Sequence, residues 1–401
     1  MTIDKQQLID FEKKIAGLYD DGELPYLCHF CGGNEDQLIE IFKEIRPGDY
    51  VFSTHRNTYH ALLHGITPEI LEAKIMAGKS MFVFDRKLNF YSSSIVCATP
   101  SIAAGVAWAL KKKNSDKRVW CFIGDGAEDE GHFYEAVRYV DGWGLPCTFI
   151  IEDNDRSVSA SVEERHGTSY RVRWTTPTPC VKRYCYTPTY PHGGNGSGKW
   201  VQFKKEAVVE KVPENKAYKL PEAKPLDQPM KYIDAVKKSM QMLAEDNRTC
   251  FIGYNVRHGS AYGTLKDIPE SQKLETPLAE NLMAGLAMGM SLEGLKPVLY
   301  FERHDFIYNA LDALVNQLNK IEQLSQGEYI FPIIIRAVAG GVKPFYAGLT
   351  HTADLTELFK SIFSFPVYAP ETSAEVIKAY EIAMASEGPV LISERKDLYE
   401  T

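Results

Sequence analysis

The sequence predicts an α/β protein built from two doubly wound parallel-sheet domains. Three observations carry this. Strand-length apolar runs alternate with helix-length stretches over most of the chain. The alternation breaks once, from about residue 165 to 225, where Pro, Gly, Thr and aromatic residues crowd together without a helical period. And 401 residues exceed what one hydrophobic core organises. The predicted domains are 1–164 and 228–401, joined over 165–227 by an irregular connection ordered by its aromatics.

In the first half, "QLIEIFKEI" (37–45) reads as a helix and "DYVFST" (49–54) as a strand. "ILEAKIMAG" and "TPSIAAGVAWALKKK" are helical. "RVWCFIG" (118–124) is an apolar run ending in glycine, the pattern of a strand covered on both faces. The next stretch sets Phe133, Val137, Val140 and Trp143 at helical spacing, with Gly144 and Pro146 as stop signals. "PCTFIIEDN" is a second buried strand. In the second half, helices are predicted at "MKYIDAVKKSMQMLAED", "LAENLMAGLAMGMSLEG", "FIYNALDALVNQLNKIEQL", "LTELFKSI" and "SAEVIKAYEIAMAS". Strands are predicted at "TCFIGYN", "KPVLYF", "FPIIIRAVAG", "FPVYAP" and "PVLISERK". The architectures of the halves rhyme, without a sequence repeat.

A right-handed crossover from 118–124 to 146–154 sets those two strands side by side. Asp125 and Asn154 then both stand at carboxyl ends of neighbouring strands, where open α/β sheets bind ligands. A carboxylate and a carboxamide oxygen there suit a hard divalent cation that also holds phosphate oxygens. An ordinary strand–helix–strand unit with an acid in its turn fits the spacing as well.

A net charge of −8 argues against nucleic acid or an anionic membrane as the main partner. No segment approaches a membrane span, and "MTIDKQQLIDFEKKIAG" lacks an apolar signal core. Eight cysteines, several inside apolar strands, read as reduced core thiols of a cytoplasmic protein. "CHFC" (28–31) has metal-like spacing, but no second pair complements it.

"GDG" (124–126) followed by Asn154 resembles the thiamine diphosphate motif of the transketolase superfamily. The second half resembles the beta chain of the decarboxylating component of 2-oxo acid dehydrogenases, through 275–320, "IIIRAVAGG", "GLTHTADL" and "PVLISERKDLY". The first half is similar to the alpha chain in "YLCHFCGGNEDQL", "FSTHRNTYHALLHG", "NFYSSSIV" and "IEDNDRSVS". Two subunits thus look fused in one chain. The departures are the connection standing in place of a "GHS"-type loop, the absence of the family's third domain, and Thr58 and Phe82 where the family has histidines. They argue against a lipoyl-domain partner.

The resemblance implies thiamine diphosphate and Mg2+ as cofactors. Metal ligands would be Asp125, Asn154 and the backbone carbonyl of Arg156. Gly124 and Gly126 would admit the phosphates, with His55 and Arg56 in phosphate-contacting positions. Val96 would prop the cofactor, although core packing explains a valine equally. Glu280 would be the acid facing the pyrimidine ring and Phe306 its stacking aromatic. His29 and His351 match active-site histidines; His60, His64 and His304 are weaker candidates. The expected activity is decarboxylation of a 2-oxo acid such as pyruvate, with transfer of the acyl-carbanion unit to a carbonyl acceptor. The alternatives are a dehydrogenase component serving a lipoyl domain, and a non-catalytic cofactor-binding scaffold. A homodimer or higher even oligomer is expected, using the small-residue helix 281–291 and the aromatic run 300–308 as contact surface. In the connection, Arg165, His166, Arg171, Arg173, Lys182 and Arg183 with Trp174, Tyr184, Tyr186 and Tyr190 suit an anionic acceptor, or else simply cover sheet surface.

Overall fold

The apolar runs become the strands of two six-stranded sheets. The computed structural model describes residues 3–24, 26–171, 178–196, 218–343 and 345–401. By backbone contacts the chain divides into two compact units, Met1–Lys211 and Val212–Thr401.

In the first unit the strands are β1 (Tyr50–Ser53), β2 (Phe84–Asp85), β3 (Phe90–Ser92), β4 (Val119–Gly124), β5 (Cys147–Asp153) and β6 (Val181–Cys185). Their order is β2-β3-β1-β4-β5-β6. All neighbours are parallel except the edge pair β2–β3, so the expected parallel sheet carries one antiparallel edge. From β1 the chain moves outward to β3 and then crosses back to β4, which makes the gap between β1 and β4 the topological switch point. Helix Thr99–Lys112 and helix Gly131–Trp143 pack beside each other. Left-handed Gly144 ends the second, at the predicted stop. The N-terminal helix Lys5–Asp20 is closed by a capping box at Asp4 and buries Leu8, Phe11 and Ile15 in a core shared with Val51, Trp120 and Ile150.

The second unit holds β7 (Thr249–Gly253), β8 (Lys273–Glu275), β9 (Lys296–Phe301), β10 (Ile334–Ala339), β11 (Val367–Tyr368) and β12 (Val390–Arg395), all parallel, in the order β11-β12-β10-β9-β7-β8. Its switch point lies between β7 and β9. Helices Tyr232–Ala244 and Ser373–Ala385 pack together over its core.

Three expectations change. The stretch 306–324 is not one α-helix. It runs as a 3-10 segment His304–Ala310, a π-helical segment Asp312–Leu318 and a short α-turn Ile321–Leu324. Helix Glu280–Leu292 is buried at every position, so its small residues pack inside this chain and are not spare contact surface. β9 is buried throughout as well. Helix Val162–His166, capped by Ser161, runs across the predicted start of the connection, and the connection holds strand β6, which extends the first sheet beyond β5. Arg173 and Trp174 lie outside the described residues.

Candidate active site

In the first unit a pocket opens at the carboxyl ends of β1, β3, β4 and β5, at the switch point. Its lining brings together His55, Arg56, Val96, Gly124, Asp125, Gly126, Asn154 and Arg156, with Ser53 and His192. The parallel register Gly124↔Glu152 is what sets Asp125 and Asn154 on adjacent strand ends.

Asp125 is 2% exposed. Its Oδ2 accepts from Arg165 Nη2 at 3.0 Å, and its Oδ1 is buried with no partner among the described residues. Burial raises its pKa, and the bond to Arg165 pulls it partly back. Asn154 Oδ1 accepts the Arg156 N–H at 2.9 Å, which turns the chain over the pocket. An orphaned buried carboxylate oxygen beside a carboxamide is the donor set a hard cation takes. A side chain at Gly124 would meet open space, whereas one at Gly126 would strike Ser157 Oγ at 2.8 Å. The glycines therefore leave room beside Asp125 and let Ser157 close in. Cys97 and Val158, both in the pocket wall, hold positive φ of 58° and 55°. Such backbone strain concentrates at ligand sites. These residues fit a metal-held diphosphate.

His29 does not line the pocket but stands at its edge, its ring 4.7 Å from His55 and 4.8 Å from His192. Burial lowers the pKa of all three, that of His192 to about 4, so they are neutral at pH 7. His192 was missed by sequence reasoning. It arrives because the 186–194 strap docks on the 28–33 loop: Thr189 N–H donates to Gly32 O, Gly194 N–H donates to Cys28 O, and glycine at 33 leaves space for Thr187 O. Only its turn-forming setting, "PHGG", hinted at a shaped loop.

Among the described residues, several of the connection's cations already pair with carboxylates. Arg171 donates to Asp153 at 2.5 Å and to Asp155 at 2.9 Å. Arg183 bonds Asp153 at 2.9 Å and pairs with Glu128. Arg165 also holds Asp129, and Lys182 holds Glu44. These four cations are spent on the chain's own carboxylates, which favours the structural reading of the connection over an anionic acceptor. The aromatics divide between network and strap: Tyr184 and Asn34 both donate to Glu152, and Tyr186 accepts from Asn154 Nδ2 at 3.4 Å.

Among the weaker histidines, His60 is buried between Ser53 Oγ, 2.7 Å away, and Glu152. His64 bonds Leu88 O, and fully buried His304 sits between Leu355 N–H and Ser393. All three have structural partners. Cys28 and Cys31 are buried free thiols.

In the second unit, Glu280 opens its helix after β8, 8% exposed, and Oε2 accepts from Asn309 at 3.3 Å. Phe306 is tilted toward Tyr254 at 6.4 Å and meets His351 edge-on at 5.3 Å. The structure thus brings Phe306 and His351 together in this unit.

A family profile described as dehydrogenase E1 component matches residues 4–174. A second, described as transketolase, pyrimidine binding domain, matches 228–401. The chain belongs to the thiamine diphosphate-dependent, transketolase-like superfamily. Within it, an alpha-like E1 domain and a beta-like pyrimidine-binding domain follow one another in a single chain. The pyruvate dehydrogenase E1 component subunit alpha of Rickettsia typhi is 35% identical over 164 residues, which is 38% of this chain and 50% of that protein. The 2-oxoisovalerate dehydrogenase subunit beta of Bacillus subtilis is 28% identical over 176 residues, 42% of this chain and 53% of that protein. The chain spans about half the length of the curated relatives it matches. A transketolase structure from Campylobacter jejuni shares the fold, with a TM-score of 0.71, 15% identity, and coverage of 99% of this chain and 80% of that one. Among the described residues no helix is long and apolar enough to cross a membrane.

Proposed function

We propose that this chain is a thiamine diphosphate- and Mg2+-dependent enzyme that decarboxylates a 2-oxo acid, pyruvate first among them, and transfers the acyl unit to a carbonyl acceptor. The observation that carries the reading is the buried, half-satisfied carboxylate of Asp125 beside Asn154 at the switch point of the first sheet. Bound thiamine diphosphate supplies the electron sink for cleavage of the bond to carbon dioxide. The chain's own residues do the rest. Asp125, Asn154 and the Arg156 carbonyl hold the metal, Arg56 and His55 meet the diphosphate, and Glu280 holds a proton at the pyrimidine side. Phe306 stacks, Val96 props, and His29 and His351 carry protons to and from substrate. Buried Cys97 closes part of the pocket wall. The oligomeric part of the reading, a homodimer or higher even oligomer, is tested by sedimentation of the active chain.

A dehydrogenase component serving a lipoyl domain is the second reading, favoured by the names of the curated relatives. Thr58 and Phe82, standing where the resemblance expects histidines, support ligation instead. Product analysis separates them. Pyruvate, Mg2+ and thiamine diphosphate are supplied with a panel of aldehydes, with and without a lipoyl domain. Carbon dioxide release coupled to a ligated hydroxyketone supports ligation. Acylation of the lipoyl domain alone transfers the assignment to the second reading, and no carbon dioxide release under any condition overturns both.

A further inference from the structure

We propose that His29, His55 and His192 form a site for a borderline first-row transition-metal ion such as Zn2+ or Co2+, at the edge of the proposed cofactor pocket. Their candidate ligand nitrogens all lie within 4.8 Å of one another. A tetrahedral ion bound at about 2.0–2.1 Å holds its nitrogens roughly 3.4 Å apart. Metal binding therefore requires the three half-buried rings to rotate about χ1 and χ2 and draw their nitrogens together. One ligand is already oriented. His29 Nδ1 bonds the carbonyl of His192 at 2.5 Å, so that nitrogen carries the proton and Nε2 presents its lone pair. A ring N–H held by a backbone carbonyl is the usual support for a ligating imidazole. The site is drawn from three separate segments, and the strap 186–194 that delivers His192 is itself fastened to the 28–33 loop. Three imidazoles leave a fourth position for water, the pattern of an open zinc-type site rather than the oxygen set of Mg2+.

Arg56 tempers the affinity. Its Nη2 donates to His192 O at 3.1 Å and its Nη1 lies 3.4 Å from His55 Nε2. A guanidinium so close repels a cation, so binding weaker than in a structural zinc site is expected. Because His55 also lines the pocket, ion and thiamine diphosphate should exclude one another. That competition rests on the proposed function; the metal site does not.

The test uses the untagged full chain in Mg2+-free buffer, titrated with Co2+ and followed by visible absorption. The expected result is one Co2+ per chain with the intense visible bands of low coordination. His29→Gln and His192→Gln should each weaken binding at least tenfold, with circular dichroism unchanged, while His132→Gln, at a residue on helix Gly131–Trp143 and outside the trio, leaves it unaltered. Parent-like Co2+ affinity in both variants overturns the site. If either glutamine variant unfolds, His192→Asn takes its place under the same criterion. Saturating thiamine diphosphate with Mg2+ should raise the apparent dissociation constant for Co2+ at least tenfold. Histidine-dependent Co2+ binding that ignores thiamine diphosphate upholds the metal site and rejects the cofactor placement. Thiamine diphosphate binding without any Co2+ site does the reverse.

Discussion

Arg165 Nη2 lies 3.0 Å from Asp125 Oδ2, and the other oxygen of that carboxylate is buried with no partner among the described residues. The guanidinium neutralises one side of the acid and leaves the other for a ligand. Asp125→Ala is expected to abolish Mg2+-dependent thiamine diphosphate binding while the fold persists. Calorimetry checks it, and an unchanged affinity rejects the metal assignment. The pH dependence has a definite sign. Mg2+ binds the ionised carboxylate, and burial holds its pKa above the ordinary aspartate value. Metal affinity should therefore weaken on acidification at a higher pH than an ordinary aspartate would allow.

Glu280 is buried at the first turn of its helix and accepts a long hydrogen bond from Asn309. Glu280→Gln keeps the shape and removes the acid. It should retain thiamine diphosphate and slow deuterium exchange of the cofactor's ring proton by on the order of 10²-fold or more, the range for losing a general acid–base group. Proton NMR of the complex decides, and parent-like exchange would reject the role.

Asp153 is a hub rather than a catalytic group. Its carboxylate receives Arg171, Arg183 and the Asp155 N–H. Burial alone would raise its pKa, but these bonds outweigh it and hold the value below the ordinary one. Asp153→Asn should cost about 1–3 kcal/mol at neutral pH, the penalty for stranding buried polar partners. A depressed pKa stabilises above the unfolded value and is lost as pH falls through the folded one. The gap in melting temperature between parent and variant should therefore hold from neutral pH down to about 4 and close below it. Equal melting temperatures at pH 7 would dismiss the hub.

The same web predicts the behaviour of Arg171. Since it is held by Asp153 and Asp155, Arg171→Ala should lower stability, with decarboxylation and ligation falling in parallel. A selective rise in the acceptor's Michaelis constant would instead show that Arg171 contacts the acceptor.

In the second unit, Arg336 and Glu394 form a buried bidentate pair at 2.9 and 2.8 Å, with Tyr380 and Tyr399 donating to the same carboxylate. Arg336 also lies over Tyr300, 4.5 Å from its ring centre. Glu394→Gln should destabilise by roughly 3–5 kcal/mol, since it leaves a buried guanidinium unpaired. Urea unfolding measures the loss, and a shift under about 1 kcal/mol would refute it.

Asp125 and Asn154 were legible from sequence because strand ends follow from local patterning. An apolar run, one amphipathic helix and a second run determine where two parallel strands stop, and the crossover hand makes them neighbours. Glu280 was legible only through the resemblance, since β8 (Lys273–Glu275), the strand before its helix, carries no apolar run. The 306–324 stretch misled for a related reason: periodicity showed a helical path, but its 3-10 and π turns depend on packing against helix Glu280–Leu292. His192 and the pairing of Arg165, Arg171 and Arg183 could not be read locally. They depend on where a chain without period travels, and it travels to meet carboxylates whose burial makes them costly alone. Sequence by itself thus determined the two sheets and the acids at their carboxyl ends. Tertiary structure alone decided which cations those acids hold and which third histidine joins His29 and His55, because contacts between distant segments are set by charge compensation and packing, not by spacing along the chain.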